Sequence, residues 1–230
     1  MGEVSMARAE RGLGERPHLS DEVAARIRQL IMSGGVRPGE YLRLERLAAQ
    51  FGISVTPVRE ALQSLRSEGF VVLEPRRGFV VARLSQQDVK DLFWVQAFIA
   101  AELTSRAAAR MTPETVRELE LIEQALERAA ASGRPELVEE YNHAFHRGIN
   151  LAADSAKLAW TLGAVSRYVP RGLFSEVPGW PAACRRDHQR VLDGLRRGSR
   201  HAASGAMRMH IMEAGELLVG YLEHRGMWAS

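Results

Sequence analysis

The residues best suited to chemistry lie late in the chain, where Asn142 and His146 are four apart and His188 and His210 follow. On the segment around 138–149, Val138, Tyr141, Phe145 and Ile149 form an apolar helical stripe, and Asn142 and His146 lie along its edge on one face. His188 leads Val191, Leu192 and Leu195 at i+3, i+4 and i+7, which puts an imidazole inside a second stripe, and His210 sits beside Met207, Ile211 and Ala214 in a third. Three imidazoles and an amide oxygen converging from three helices suit a divalent transition metal, zinc or nickel first, cobalt or manganese after them. One such histidine alone is more often a hydrogen-bonded core residue. Three on inward faces make metal binding the stronger reading.

A second set of polar residues lies near the N-terminus. Leu44, Leu47 and Ala48 form one helical face, Gly52 ends it, and Ser54 is placed to cap a second helix with Pro57 in its first turn. Val58, Ala61, Leu62 and Leu65 set the inner stripe of that helix, so Thr56, Arg59, Gln63 and Arg66 face outward. Two apolar runs, 70–73 and 79–82, flank Glu74-Pro75-Arg76-Arg77-Gly78, a hairpin whose tip presents two guanidinium groups suited to phosphates or a minor groove. A helix-turn-helix followed by a basic wing points to sequence-specific DNA binding, with Ser54, Thr56, Arg59, Gln63, Arg66, Arg76, Arg77 and Gly78 as the candidate contacts.

Residues 1–19 are expected to be a flexible arm, 20–83 a winged helix-turn-helix of three helices and a β-hairpin, and 84–230 an antiparallel bundle of about six helices. Ser85 is placed to cap the first bundle helix. The expected bundle spans are 86–110, 113–131, 135–152, 155–169, 181–197 and 199–224, broken at Pro113, Gly133, the 170–181 loop and Gly198. No Gly-rich phosphate loop or strand-helix alternation interrupts them, which argues against a nucleotide-binding α/β domain. The net charge of +3 lies entirely in the N-terminal part: residues 1–83 hold 13 Arg against 10 acids, and the remainder is balanced at 18 against 18. The excess is small but has the sign that phosphate contact needs. Arg outnumbers Lys 29 to 2, which biased genome composition explains as well as any bidentate role. With one cysteine, no apolar span and no export signal, the chain is expected to be cytoplasmic and without an internal disulfide.

The run Ser54-Val55-Thr56-Pro57-Val58-Arg59-Glu60-Ala61-Leu62, with Gly69 and the wing Arg76-Arg77-Gly78, resembles the DNA-binding domain of GntR-family bacterial transcription regulators. Asn142-His143-Ala144-Phe145-His146, His188 and His210 resemble the ligand pattern of the FCD domain in the FadR subfamily of those regulators. The resemblance implies a homodimer binding a double-stranded operator, a metal on Asn142, His146, His188 and His210, and a small organic acid effector completing the metal's coordination. Repression released by effector is the implied direction; a purely structural metal without effector is the alternative. A metallohydrolase is a further rival, and no inward acid near the histidines is expected that could serve it as a base.

Three departures from the family pattern bear on function. Asn142 stands where Asp is commoner, which removes a charge from the site and should weaken metal affinity. Phe98 stands where many relatives carry an Arg, four before Glu102, that would clamp an effector carboxylate; Arg106 and Arg147 are substitutes. Val55 stands where several relatives place a guanine-reading Arg. Among the rest, His143 is expected at the surface or behind the ligands, and His18, His201 and His224 solvated. Glu118, Glu120, Glu123 and Glu127 are expected to form a solvated helix face, and Trp94 and Trp180 to anchor the core or an interface.

Overall fold

A computed structural model describes residues 19–169, 173–174 and 177–228. The expected arm therefore lies outside the described residues except for Leu19, and so does His18.

The N-terminal unit consists of α1 (Leu19–Met32), β1 (Tyr41–Leu42), α2 (Leu44–Phe51), α3 (Val55–Ser67), β2 (Val71–Glu74) and β3 (Gly78–Val81). The inner stripe of α3 is the expected one, with Val58, Ala61, Leu62 and Leu65 all buried against α1 and α2. Gly52 turns α2 into α3 in the left-handed region, and its N–H donates to the Ala48 and Ala49 carbonyls. The wing is larger than the expected hairpin. β1 pairs antiparallel with β3 (Tyr41 opposite Val80), giving a three-stranded sheet in the order β1-β3-β2. Two residues are too short a run for alternation to reveal.

Six helices follow among the described residues: α4 (Gln86–Ala108), α5 (Pro113–Ala131), α6 (Pro135–Ala152), α7 (Ala156–Ser166), α8 (Trp180–Arg196) and α9 (Arg200–His224). α5 and α6 match the expected spans, and the others differ by one to three residues at an end. Ser85 caps α4 in a capping box with Asp88, and Thr112 with Thr115 does the same for α5. Ser54 stands in the N-cap position of α3, but its hydroxyl makes no cap hydrogen bond, contrary to the sequence expectation.

α4 lies along α9, α8 packs on α9, and α5 on α6. Close approach of α8 and α9 depends on Gly194, where a Cβ would fall 2.5 Å from the Ala203 backbone nitrogen. The N-terminal unit is packed onto the bundle. Phe70 stacks on Tyr168 at 4.7 Å, Arg225 donates to the Ser33 carbonyl at 3.0 Å, and the Trp228 indole N–H donates to the Leu84 carbonyl at 2.5 Å. No residue of α7 is fully buried.

Candidate metal centre and nucleic-acid interface

α6, α8 and α9 bring His146, His188 and His210 together, with one nitrogen of each ring within 4.8 Å of the others. His146 Nε2 and His210 Nε2 are 3.2 Å apart. The His188 ring stacks on Phe145 with centroids 3.9 Å apart, so the same aromatic that fills the α6 core stripe also holds a site residue.

What stands behind two of these rings was not expected. Glu123 of α5 is 1% exposed, and its Oε2 lies 2.6 Å from His188 Nδ1. Asp187, also buried, lies 3.8 Å from His210 Nδ1 and is held in turn by Arg186 at 2.9 Å and Arg190 at 3.3 Å. Two sequence expectations are thereby corrected: Glu123 is not on a solvated face, and inward acids do exist near the histidines. Glu123 falls on the stripe Val116, Leu119, Glu123, Leu126, all buried, so its spacing could have revealed it. Its charge argued the other way, because an unpaired carboxylate is almost never buried. Both acids sit behind the rings on the Nδ1 side, and Asp187, which stays ionised, favours N–H at His210 Nδ1 and leaves its Nε2 lone pair turned inward.

The residues fit a metal ion. Two ligand nitrogens on a tetrahedral zinc, each about 2.0–2.1 Å from it, are about 3.3 Å apart, close to the His146–His210 separation. When bound, the metal would supply a Lewis-acidic position for a carboxylate oxygen. Asn142 accepts the Cys184 thiol at 3.5 Å through Oδ1, and that sulfur is also 3.5 Å from His188 Nε2, which joins the amide to the cluster.

Burial sets the protonation of the metal-free centre. It holds His146 and His188 well below the usual imidazole value of 6.5, with neighbouring imidazoles adding to the effect. It pushes the Glu123 carboxyl from 4.5 up to about 7, helped by Glu127 and opposed by Arg185. Burial also pushes Asp187 up, but His210 and Arg186 outweigh it and the carboxyl stays below its ordinary value. Unfolding below pH 6.5 frees the two histidines to take protons, which lowers stability as pH falls. Glu123 works in the opposite direction between 4.5 and about 7, because folded it keeps a proton that it would release when unfolded. Two groups against one leave a net uptake of about one proton on unfolding. The urea midpoint of chelator-treated protein is therefore expected to fall between pH 6.5 and pH 5, and a flat or rising midpoint would contradict this assignment.

His146, His210 and Asn142 line a cavity of about 1280 Å³. Its α4 wall is Phe93, Gln96 and Ala100, not Phe98. Phe98 is 54% exposed beneath the Arg208 guanidinium, so the expected loss of a clamp at this position says nothing about the cavity. Arg147 lines the cavity, whereas Arg106 is paired with Glu102 at 2.8 Å and with Ser155 at 3.2 Å. His143 is exposed at the cavity wall, and His201 and His224 are exposed elsewhere. Trp180 is buried in the core; Trp94 is 51% exposed.

On the N-terminal unit, Ser54, Thr56, Arg59, Gln63 and Arg66 are all exposed on α3 or at its cap, and Val55 is half-buried at its start. Arg76 and Arg77 are exposed at the wing tip, with Gly78 half-buried beside them. The turn places Arg76 at φ 65°, and Arg77 N–H closes on the Glu74 carbonyl at 3.1 Å. A type II turn asks for Gly at that position; a non-glycine residue there stores strain that presents the side chain outward. Arg77 is steadied by Tyr41 at 3.4 Å, whose hydroxyl donates to Glu74 at 2.7 Å.

Comparison with known proteins agrees with both halves. Residues 19–81 match the family described as bacterial regulatory proteins, gntR family, and residues 91–213 match the FCD domain. A helix-turn-helix-type transcriptional regulator from an unstable DNA locus of Streptomyces ambofaciens is 28% identical over 83% of this chain and 80% of its own length. The repressor RspR of Escherichia coli is 26% identical over 85% of this chain and 86% of its own. The solved structure of McbR/YncC from E. coli superposes with a TM-score of 0.64 at 21% identity, covering 92% of this chain and all of that one. No helix among the described residues is long and apolar enough to cross a membrane.

Proposed function

This chain belongs to the GntR family of DNA-binding transcription regulators and carries an FCD domain, and from that premise we propose that it is a repressor whose operator is released by a small organic acid bound at a metal in the helical bundle. The observation that carries the sensor reading is the cluster His146, His188 and His210, of which His146 and His210 line one cavity with Asn142. Asn142, His146, His188 and His210 hold the metal, zinc or nickel before cobalt or manganese. Glu123 and Asp187 keep two of the rings oriented, and both face away from the cavity side of the rings. That RspR is named as a repressor supports the direction of control.

The test is operator binding by metal-loaded protein with and without carboxylates. Release by an acid from the loaded form, but not from the chelated form, is the expected result. Acid-independent binding in both forms would instead make the metal purely structural.

On the DNA side, Thr56, Arg59, Gln63 and Arg66 face the major groove from α3, Ser54 meets the backbone, and Arg76, Arg77 and Gly78 reach along the duplex from the wing. Val55 offers a thymine methyl contact at most. Arg59→Ala is expected to weaken specific binding by about 1–3 kcal/mol and to relax preference at one base position. Uniform weakening on all sequences, with a shallower salt dependence, would assign Arg59 to a phosphate.

A palindromic operator needs two copies. Trp94 and Phe98 on α4, exposed with ring centroids 5.2 Å apart, and the exposed Met212 on α9 supply an apolar face for a homodimer. Trp94→Glu with Phe98→Glu is expected to halve the mass seen by light scattering; an unchanged dimer would move the interface elsewhere.

A further inference from the structure

The cavity that reaches His146 and His210 does not end within the bundle. Its opposite wall is α1 of the DNA-binding domain, through Glu22, Arg26, Arg28 and Gln29. Arg28 is already engaged there: Nη2 donates to Glu68 Oε2 at 2.6 Å, Nε donates to the same oxygen at 3.2 Å, and the guanidinium lies 5.5 Å over the Phe70 ring. Glu68 is the residue that ends the recognition helix α3, and Phe70 begins the path into the wing. Between them Gly69 turns at φ +83°, with the Tyr168 hydroxyl 2.8 Å from where its Cβ would be. Arg28 thus lines the cavity that reaches the histidines and also ties down the end of α3.

The pair is largely shielded from water, with side-chain exposures of 11% and 16%, so the bond is worth more than a surface ion pair and is also sensitive to a competing anion. The cavity lining is mainly apolar, with Phe93, Leu162, Phe174 and Ile211 on it, and it also carries Gln96, Glu139 and Asn150. Its volume exceeds the usual range of about 300–1000 Å³ for drug-sized ligands and leaves far more room than a two- or three-carbon acid needs.

We propose that Arg28 is the second anion-binding point of the effector site, and that the effector is an organic acid with two anionic groups separated by an apolar middle. One end meets the metal, and the other draws Arg28 away from Glu68. This rests on the reading of the bundle as a metal-dependent acid sensor. The recognition helix loses its tether to α1 when the ligand spans the cavity, so ligand and operator oppose each other through a single contested guanidinium.

Calorimetric titration of the full zinc-loaded chain with dicarboxylates from succinate to suberate, and with monocarboxylates of equal length, tests this. The best diacid is expected to bind about tenfold tighter than its monoacid, the scale of one additional charge-assisted contact. Arg28→Met removes that advantage and leaves monoacid binding unchanged. Glu68→Gln, which keeps the shape of the tether but weakens the competitor, raises diacid affinity severalfold and leaves monoacids alone. Monoacid binding without a diacid advantage, an advantage that survives Arg28→Met, or indifference to Glu68→Gln would each overturn the assignment of Arg28. Failure of every acid, mono and di, on protein shown to hold zinc would overturn the acid-sensor reading and this inference with it.

Discussion

His188→Ala is expected to reduce bound metal from about one per chain to none and to cost about 2–4 kcal/mol of stability, from the lost ring and the acid it leaves behind. The side chain is fully buried, stacked on Phe145, and is the partner of Glu123 Oε2. Glu123 Oε1 has no hydrogen-bond partner among the described residues even in the intact protein, so truncating the histidine leaves a buried carboxyl with neither oxygen satisfied. Elemental analysis of protein purified without chelator reads the first effect, and urea unfolding the second. A second variant separates them: His188→Ala with Glu123→Leu is expected to recover much of the stability and none of the metal. If wild-type protein holds no metal after loading with zinc or nickel, the histidines are core residues and the sensor reading falls. The DNA-binding assignment, which rests on α3 and the wing, would stand.

Gly194→Ala is expected to destabilise the chain by about 3 kcal/mol, although the same change in an open helix gains about 1 kcal/mol. A Cβ on Gly194 would lie 2.5 Å from the backbone nitrogen and 2.6 Å from the Cα of Ala203. Backbone cannot rotate aside as a side-chain tip can, so α8 and α9 must separate. His188 is on the first of these helices and His210 on the second, and their ring centroids are only 4.8 Å apart. Metal retention should therefore weaken along with stability. Gly220, on the open side of α9 with nothing near its Cβ position, is the control. There alanine should be neutral or stabilising. Equal urea midpoints for the two variants would refute the packing argument.

The histidines were legible in the sequence because each leads or edges an apolar stripe whose period is helical, and buried polar residues at such positions are conspicuous. Glu123 occupied the same kind of position on α5 and was missed, because a carboxylate among Glu118, Glu120 and Glu127 is ordinarily solvated. A ring nitrogen supplied by another helix, together with a carboxyl pushed up to about 7, makes its burial tolerable. Phe98 was misjudged for a related reason: the residues of α4 that face the cavity are decided by where α7 and α9 lie against it, and those contacts bring in Phe93, Gln96 and Ala100 instead.

By itself the sequence determined the local structure and the family. Caps, glycines and 3.6-residue periodicity act within a few residues of one another, so helix spans, the outward face of α3 and the basic wing follow from short-range sterics and hydrogen bonding. It did not determine which groups from distant segments share one space. Glu123 with His188 are 65 residues apart, and Arg28 with Glu68 are 40 apart. Such pairs form where packed helices happen to bring their ends and edges together, and that depends on interhelical geometry that no local pattern encodes. The tertiary structure alone placed two carboxylates behind the candidate metal ligands and ran the cavity up to the first helix of the DNA-binding domain.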